Sequence, residues 1–284
     1  MSRQGWRNFK LYAITAKSNH PGRSVVEVME QALIGGAQMV QLRNKTGTRE
    51  EVLEEAKALR ILTRKYKVPL IINDYPDIVL ETDADGVHLG QDDMPIAKAR
   101  EWLGADRIIG ISTHNLQQAL TAEQEGADYI GVGPVYPTET KPGRTAVTTS
   151  YVREAAHHIT IPFVAIGGIT LENVDVVLAS GATRICAVSA IVGHNDPAGV
   201  CQAFLKKIEA HRSEYVLPIK TVKINGREEQ TSAKTVEELV VQLGQQHKKL
   251  VIELNGMIVQ RARWAETELL GGSSIELVHF VGGG

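Results

Sequence analysis

The chain has 284 residues, 43% of them hydrophobic and 23% charged, with a formal net charge of −2. That length suits one large domain, or one large and one small. The near-neutral balance argues against an electrostatic binder of nucleic acid or anionic membrane. Two cysteines, Cys186 and Cys201, are too few for a disulfide framework and read as small core residues. No stretch has a signal-peptide pattern or approaches the ~18 apolar residues of a membrane span, so a cytoplasmic enzyme is expected.

From Lys10 to about Arg212 the chain alternates between two patterns. Short β-type runs occur at LYAIT, QMVQLR, PLIIND, GVHLG, RIIGIST, YIGVGP, FVAIGG and RICAVSA. Between them lie amphipathic helical stretches, among them Glu50 to Tyr66, Asn115 to Glu125, Thr170 to Ala179 and Asp196 to His211. Eight strands with room for a helix after each predict a (β/α)8 TIM barrel over residues 1–212. An open doubly wound sheet would concentrate its chemistry near one switch point. Here polar residues follow nearly every strand, which favours the barrel.

In a barrel, those strand ends share one rim. Asp74 follows the third strand and Asp93 the fourth, so two carboxylates far apart in sequence can meet. Such a pair suits Mg²⁺, which takes one or two protein carboxylates and fills its other positions with water and substrate phosphates. Aspartates at strand ends also serve as turn and cap residues. Arg43, Lys45 and Lys141 add cations to the rim, as a metal-bound polyphosphate requires. Gly167-Gly168-Ile169 and Val188-Ser189-Ala190 have the small residues and free N–H groups of a phosphate site, and a tight turn would use the same glycines. The loop holding Thr138, Glu139 and Thr140 is rich in hydroxyls and bounded by prolines, fit to fold over a ligand or to stay a rigid surface loop. His114 is the one acid/base candidate on the rim, and a hydrogen-bonded structural role serves it equally. No nucleophile–base–orienter set, P-loop or zinc spacing is present.

Taken in order, QLRNK, IINDYPDIVL, ADGVHLGQDD, IGIST, GADYIGVGPVYPTETK, AIGGI and AVSAI resemble thiamine phosphate synthase over residues 8–210. That family joins 4-amino-2-methyl-5-(diphosphooxymethyl)pyrimidine to a thiazole phosphate and releases diphosphate. The resemblance implies that Gln41, Arg43, Lys45, Asn73, Ser112 and Lys141 hold the pyrimidine diphosphate, with Arg43, Lys45, Ser112 and Lys141 acting in catalysis. It implies Mg²⁺ on Asp74 and Asp93, and thiazole phosphate on Thr138, Glu139, Thr140, Gly168, Val188 and Ser189. A related family, the thiazole tautomerases, uses a rim histidine as acid/base. That likeness would give the task to His114 and leave Asp74, Asp93 and Lys141 without one. No role is read for Arg144.

Composition changes after Arg212. SEYVLP, residues 213–218, reads as a linker. Residues 219–284 then hold KTVKING and EEQTSA around an Asn225-Gly226 hairpin signal. A helix follows in TVEELVVQLG, with Thr235 and Glu238 spaced as a capping box. KLVIELN, MIVQRARW and SIELVHF read as further strands, which together suggest a small β-grasp, ubiquitin-like domain. Its ending, HFVGGG, resembles the sulfur carrier of the thiamine pathway, although an acidic residue would be expected near Ser273 or Ser274. The resemblance implies that Gly284 becomes a thiocarboxylate, with an adenylating enzyme and a thiazole synthase as partners. A C-terminal interaction module without carrier activity is the competing reading. The sequence leaves the oligomeric state open, a homo-oligomer included.

Overall fold

The computed structural model describes residues 5–138, 146–215, 220–245, 248 and 250–279. The chain divides into two compact units, Met1–His211 and Arg212–Gly284. No helix among the described residues is long and apolar enough to cross a membrane.

In the first unit, strands β1 (Leu11–Ile14), β2 (Met39–Leu42), β3 (Leu70–Asn73), β4 (Gly86–Leu89), β5 (Ile108–Thr113), β6 (Tyr129–Val132), β7 (Phe163–Ile166) and β8 (Ile185–Cys186) pair in sequence order and close into a parallel barrel. Around it run helices α1 (Val25–Ile34), α2 (Arg49–Tyr66), α3 (Pro76–Thr82), α4 (Ile96–Leu103), α5 (Leu116–Gln124), α6 (Thr148–His158), α7 (Val174–Ala179), α8 (Ser189–Val192) and α9 (Pro197–Tyr215).

Side chains alternate across each strand, so the strands feed two cores. Leu11, Val40, Leu70, Val87, Ile109 and Ile130 pack outward with the helices. Tyr12, Met39, Ile71, Ile108, Tyr129 and Val164 fill the barrel interior. Trp6 and Phe9, ahead of β1, close the floor. Their rings lie 6.1 Å from Tyr129 and 5.9 Å from Tyr12, respectively, edge to face.

A clamp recurs at the strand starts. Asp85, before β4, accepts the Leu70 N–H at 2.8 Å and pairs with Arg60 of α2 at 2.6 Å. Asp128, before β6, accepts the Ile109 N–H at 2.9 Å and pairs with Arg100 of α4 at 2.5 Å. Each carboxylate ties two strands to the helix behind them.

Three elements differ from expectation. Strand β8 has two residues, and the chain turns at once into α8. Helix α7 starts at Val174 rather than Thr170, because residues 171–173 form a turn in which the Asn173 side chain accepts from Thr170 N–H and donates to the Gly168 carbonyl. Helix α9 continues to Tyr215, so residues 213–215 of the expected linker are helical.

The second unit is a five-stranded sheet in the order β10-β9-β13-β11-β12, with β9 (Lys220–Ile224) parallel to β13 (Ser274–His279). Strand β10 (Arg227–Thr231) forms a hairpin with β9, and β12 (Met257–Val259) forms one with β11 (Leu250–Leu254). Both hairpins turn on Asn-Gly with positive φ at each residue: 48° and 81° at Asn225-Gly226, and 50° and 83° at Asn255-Gly256. That is the turn whose twist matches paired strands. Of MIVQRARW only Met257–Val259 is strand; Arg261–Arg263 form a 3-10 turn that seats Trp264 in the core. Helix α10 (Val236–Gln242) is capped by Thr235, which accepts the Glu238 N–H at 3.3 Å. The Glu238 carboxylate accepts instead from the N–H of Lys234, one residue before the cap, so the reciprocal box does not form. Ser273, near which an acidic residue would be expected, accepts the Leu270 N–H on its Oγ at 3.2 Å.

Candidate active site

The inward-facing side chains nearest the strand ends, Gln41, Asn73, His88 and Ser112, form the bottom of a two-lobed cleft. The glycine-walled lobe spans about 840 Å³, part of it open to solvent, between Gln41, Ser112, Thr138, Gly168, Val188 and Ser189. The charged lobe holds Lys45, Asp74 and Asp93, and Arg43, Asn73 and Ser112 border both. The expected site residues among those described therefore meet at one place. Glu139, Thr140, Lys141, Arg144 and Gly284 lie outside the described residues.

Local geometry fixes each group. Thr15 clips the tips of β1 and β2 together: its hydroxyl donates to the Arg43 carbonyl at 3.1 Å and accepts the Arg43 N–H at 2.8 Å. Asp74 turns the chain immediately after β3 with φ at +67°, a conformation that aspartate tolerates better than most residues, and its N–H donates to the His88 carbonyl at 3.0 Å. Asp93 is held by the Gly90 N–H at 2.6 Å. Gly167 and Gly168, with φ of 101° and 63°, pass against Pro134 and Pro137; a Cβ would lie 2.4 and 2.6 Å from those residues, so no side chain fits. The glycines thus bring the β7 loop onto the β6 loop, and the turn before α7 separates them from the helix start.

The electrostatics of the charged lobe are those of a half-buried acid with a second acid and an ammonium beside it. Burial raises the Asp74 pKa, the Lys45 ammonium paired with it pulls it down, and the neighbouring Asp93 charge pushes it up again; the net effect is upward. Burial lowers the Arg43 pKa against the opposing pull of Asp74, yet a guanidinium stays charged. Among the described residues no three ligating side chains cluster. Two adjacent carboxylates fit a hard divalent cation that draws its other ligands from water and phosphate, and such a cation would offset the burial that raises Asp74 together with the smaller push from Asp93.

His114 lines the glycine-walled lobe, with Nδ1 2.6 Å from the Gly133 carbonyl, to which it donates. Tyr12, His88 and Tyr129 are not among the site residues expected from the sequence. They sit at inward positions of apolar strands and are hydrogen-bonded to one another or to the cleft residues. A histidine inside GVHLG and tyrosines inside LYAI and YIGV carried the signal.

Residues 11–191 match the family model described as thiamine monophosphate synthase. The chain belongs to the thiamine monophosphate synthase family. Residues 217–284 match the ThiS family, so a ThiS domain is fused behind the barrel. A thiamine-phosphate synthase of Halalkalibacterium halodurans is 54% identical over 72% of this chain and 97% of its own length. One from Shouchella clausii is 52% identical over 71% and 97%. The solved thiamine phosphate pyrophosphorylase of Pyrococcus furiosus superposes with a TM-score of 0.67 at 38% identity, covering 72% of this chain and 98% of that one. Membership in the thiamine monophosphate synthase family thus rests on the barrel, and the barrel carries the cleft.

Proposed function

We propose that the barrel condenses 4-amino-2-methyl-5-(diphosphooxymethyl)pyrimidine with a thiazole phosphate, giving thiamine phosphate and diphosphate. The observation that carries this is the division of the cleft: acids and cations gather in one lobe, and a glycine-walled lobe without carboxylates among its described lining adjoins it.

The bond that breaks joins the pyrimidine CH2 to the diphosphate oxygen, and its electron pair leaves with the oxygen. The new bond forms from the thiazole nitrogen lone pair to that carbon. Neither ring must lose a proton, so the step calls for no strong base. Arg43 and Lys45, with Lys141, meet the charge that grows on the departing group. Asn73 and Gln41 orient the pyrimidine, and Ser112 sits where the two lobes join. Gly168, Val188 and Ser189 hold the thiazole phosphate close to the reacting carbon, a task shared with Thr138, Glu139 and Thr140. Asp74 and Asp93 would hold Mg²⁺, which when bound supplies Lewis-acid stabilisation of the leaving oxygens.

The test is diphosphate release from the full chain given both substrates and Mg²⁺. Asp93→Ala should lose at least about a hundredfold in turnover, the scale of one electrostatic stabiliser, while keeping the fold. Full activity in that variant would reject the metal assignment.

The ThiS domain we read as a sulfur carrier whose terminal Gly284 carboxylate is activated by an adenylating enzyme and converted to a thiocarboxylate for a thiazole synthase. A glycine tail has no side chains to exclude it from a partner's narrow site. Incubating the chain with such an adenylating enzyme, ATP and a sulfur source should raise its intact mass by one oxygen-to-sulfur exchange. No change in mass would leave the domain an interaction module.

A further inference from the structure

Five polar side chains from five strands form one hydrogen-bonded chain through the barrel. Gln41 Nε2 donates to the Tyr12 hydroxyl at 2.7 Å, and the Tyr12 and Tyr129 hydroxyls lie 3.0 Å apart. The Tyr129 hydroxyl is 2.8 Å from His88 Nδ1, and His88 Nε2 is 2.9 Å from Ser112 Oγ. Gln41 and Ser112, at the two ends, are cleft residues. Between them Tyr12 is 1% exposed, Tyr129 0% and His88 9%.

Such a chain has a direction. Burial pushes both phenol pKa values well up, so each tyrosine keeps its one proton and donates once. Gln41 gives an N–H to Tyr12, so Tyr12 donates to Tyr129 and Tyr129 donates to His88 Nδ1. The imidazole then carries its proton on Nε2 and gives it to Ser112 Oγ, which turns the serine's own proton elsewhere. A doubly protonated imidazole would reverse Tyr129 and aim two donors at the Tyr12 oxygen, leaving the Tyr12 proton no acceptor in the chain.

We infer that Tyr12, Tyr129 and His88 are positioning residues that set which atoms the two cleft ends offer to the ligand. Gln41 presents its amide carbonyl, and Ser112 presents its O–H. The ligand selected is one that gives an N–H to Gln41 and a lone pair to Ser112. This rests on the function proposed above, whose 4-aminopyrimidine has both. The 4-oxo analogue would set a carbonyl against the Gln41 carbonyl, leaving two acceptors facing each other without a proton, which a closed site tolerates poorly.

The full chain labelled with ¹⁵N-histidine tests the direction without any substrate. The His88 ring, identified by its absence in His88→Gln, should be a neutral imidazole protonated at Nε2. Protonation at Nδ1 overturns the inference. Tyr129→Phe removes one oxygen from the middle of the chain and tests the consequence. Its KM for the pyrimidine diphosphate should rise about tenfold and its preference for the amino over the 4-oxo substrate should fall about tenfold, the scale of one buried hydrogen bond, with KM for thiazole phosphate unchanged. Equal shifts in both KM values, or unchanged preference, overturn the inference. Wild-type protein that releases no diphosphate rejects the proposed reaction, while the ring's protonation still reports on the chain itself.

Discussion

Gly110 of β5 offers the sharpest test of the barrel interior. A Cβ at this position would stand 2.1 Å from Tyr129 Cζ, 2.2 Å from Cε1 and 2.4 Å from the hydroxyl, where real Cβ contacts stay beyond 3.0 Å. The ring must move by about an ångström, and it is wedged by the rings of Trp6, Phe9 and Tyr12. Overpacking of this kind costs about 1–3 kcal/mol, and pulling the hydroxyl from His88 and Tyr12 strands buried polar atoms at about 1–3 kcal/mol more. Gly110→Ala should therefore lose about 4 kcal/mol, which for a barrel of this size lowers the melting temperature by roughly 10 °C. Scanning calorimetry of the full chain reads this on the barrel transition. Adding Tyr129→Leu should restore part of the loss, because the two changes share one contact. A Gly110→Ala protein melting within about 2 °C of wild type would refute the packing argument.

Three further outcomes follow from groups described above. Asp128→Ala removes the acceptor shared by Arg100 and the Ile109 N–H in a partly buried site and should cost about 2–3 kcal/mol in chemical denaturation; a loss below about 0.5 kcal/mol would reduce the clamp to a surface pair. The Asp74 pKa is raised by folding, so the native state holds that proton more tightly than the unfolded chain, and stability falls as pH climbs from the ordinary carboxylate range through the raised pKa. In metal-free protein the melting temperature of Asp74→Asn relative to wild type should therefore be more favourable near pH 7 than near pH 4, and the opposite trend would show the Lys45 pairing to dominate. Burial pushes the Cys201 thiol up to about 12, and Cys186 is fully enclosed, so a thiol reagent at about pH 8 should titrate neither until the barrel unfolds.

The barrel was legible because its signals are local. Runs such as LIIN and GVHL are too short for helices, and the intervening stretches carry helical periodicity, so strand count and order followed from spacing. The rim was legible for the same reason: once the strands are counted, Asp74 and Asp93 must arrive side by side. What spacing could not give was the inside. Tyr12, His88 and Tyr129 become one unit only through the register that sets His88 beside Gly110 and Gly110 beside Tyr129, contacts made between strands rather than along them. Local polar competition also blurred the boundaries. The Asn173 side chain delays α7 by holding the chain in a turn, and Glu238 reaches Lys234 rather than completing its box.

The aromatic floor made by Trp6 and Phe9 has a kinetic corollary. With that end filled by side chains, ligands reach the cleft from the rim at the strand ends. Whatever rests against Gln41, 2% exposed at the bottom of the cleft, enters before a ligand lying nearer the rim and departs after it. With the pyrimidine donor against Gln41, as proposed above, steady-state patterns should be those of an ordered sequence in which that donor is seated first.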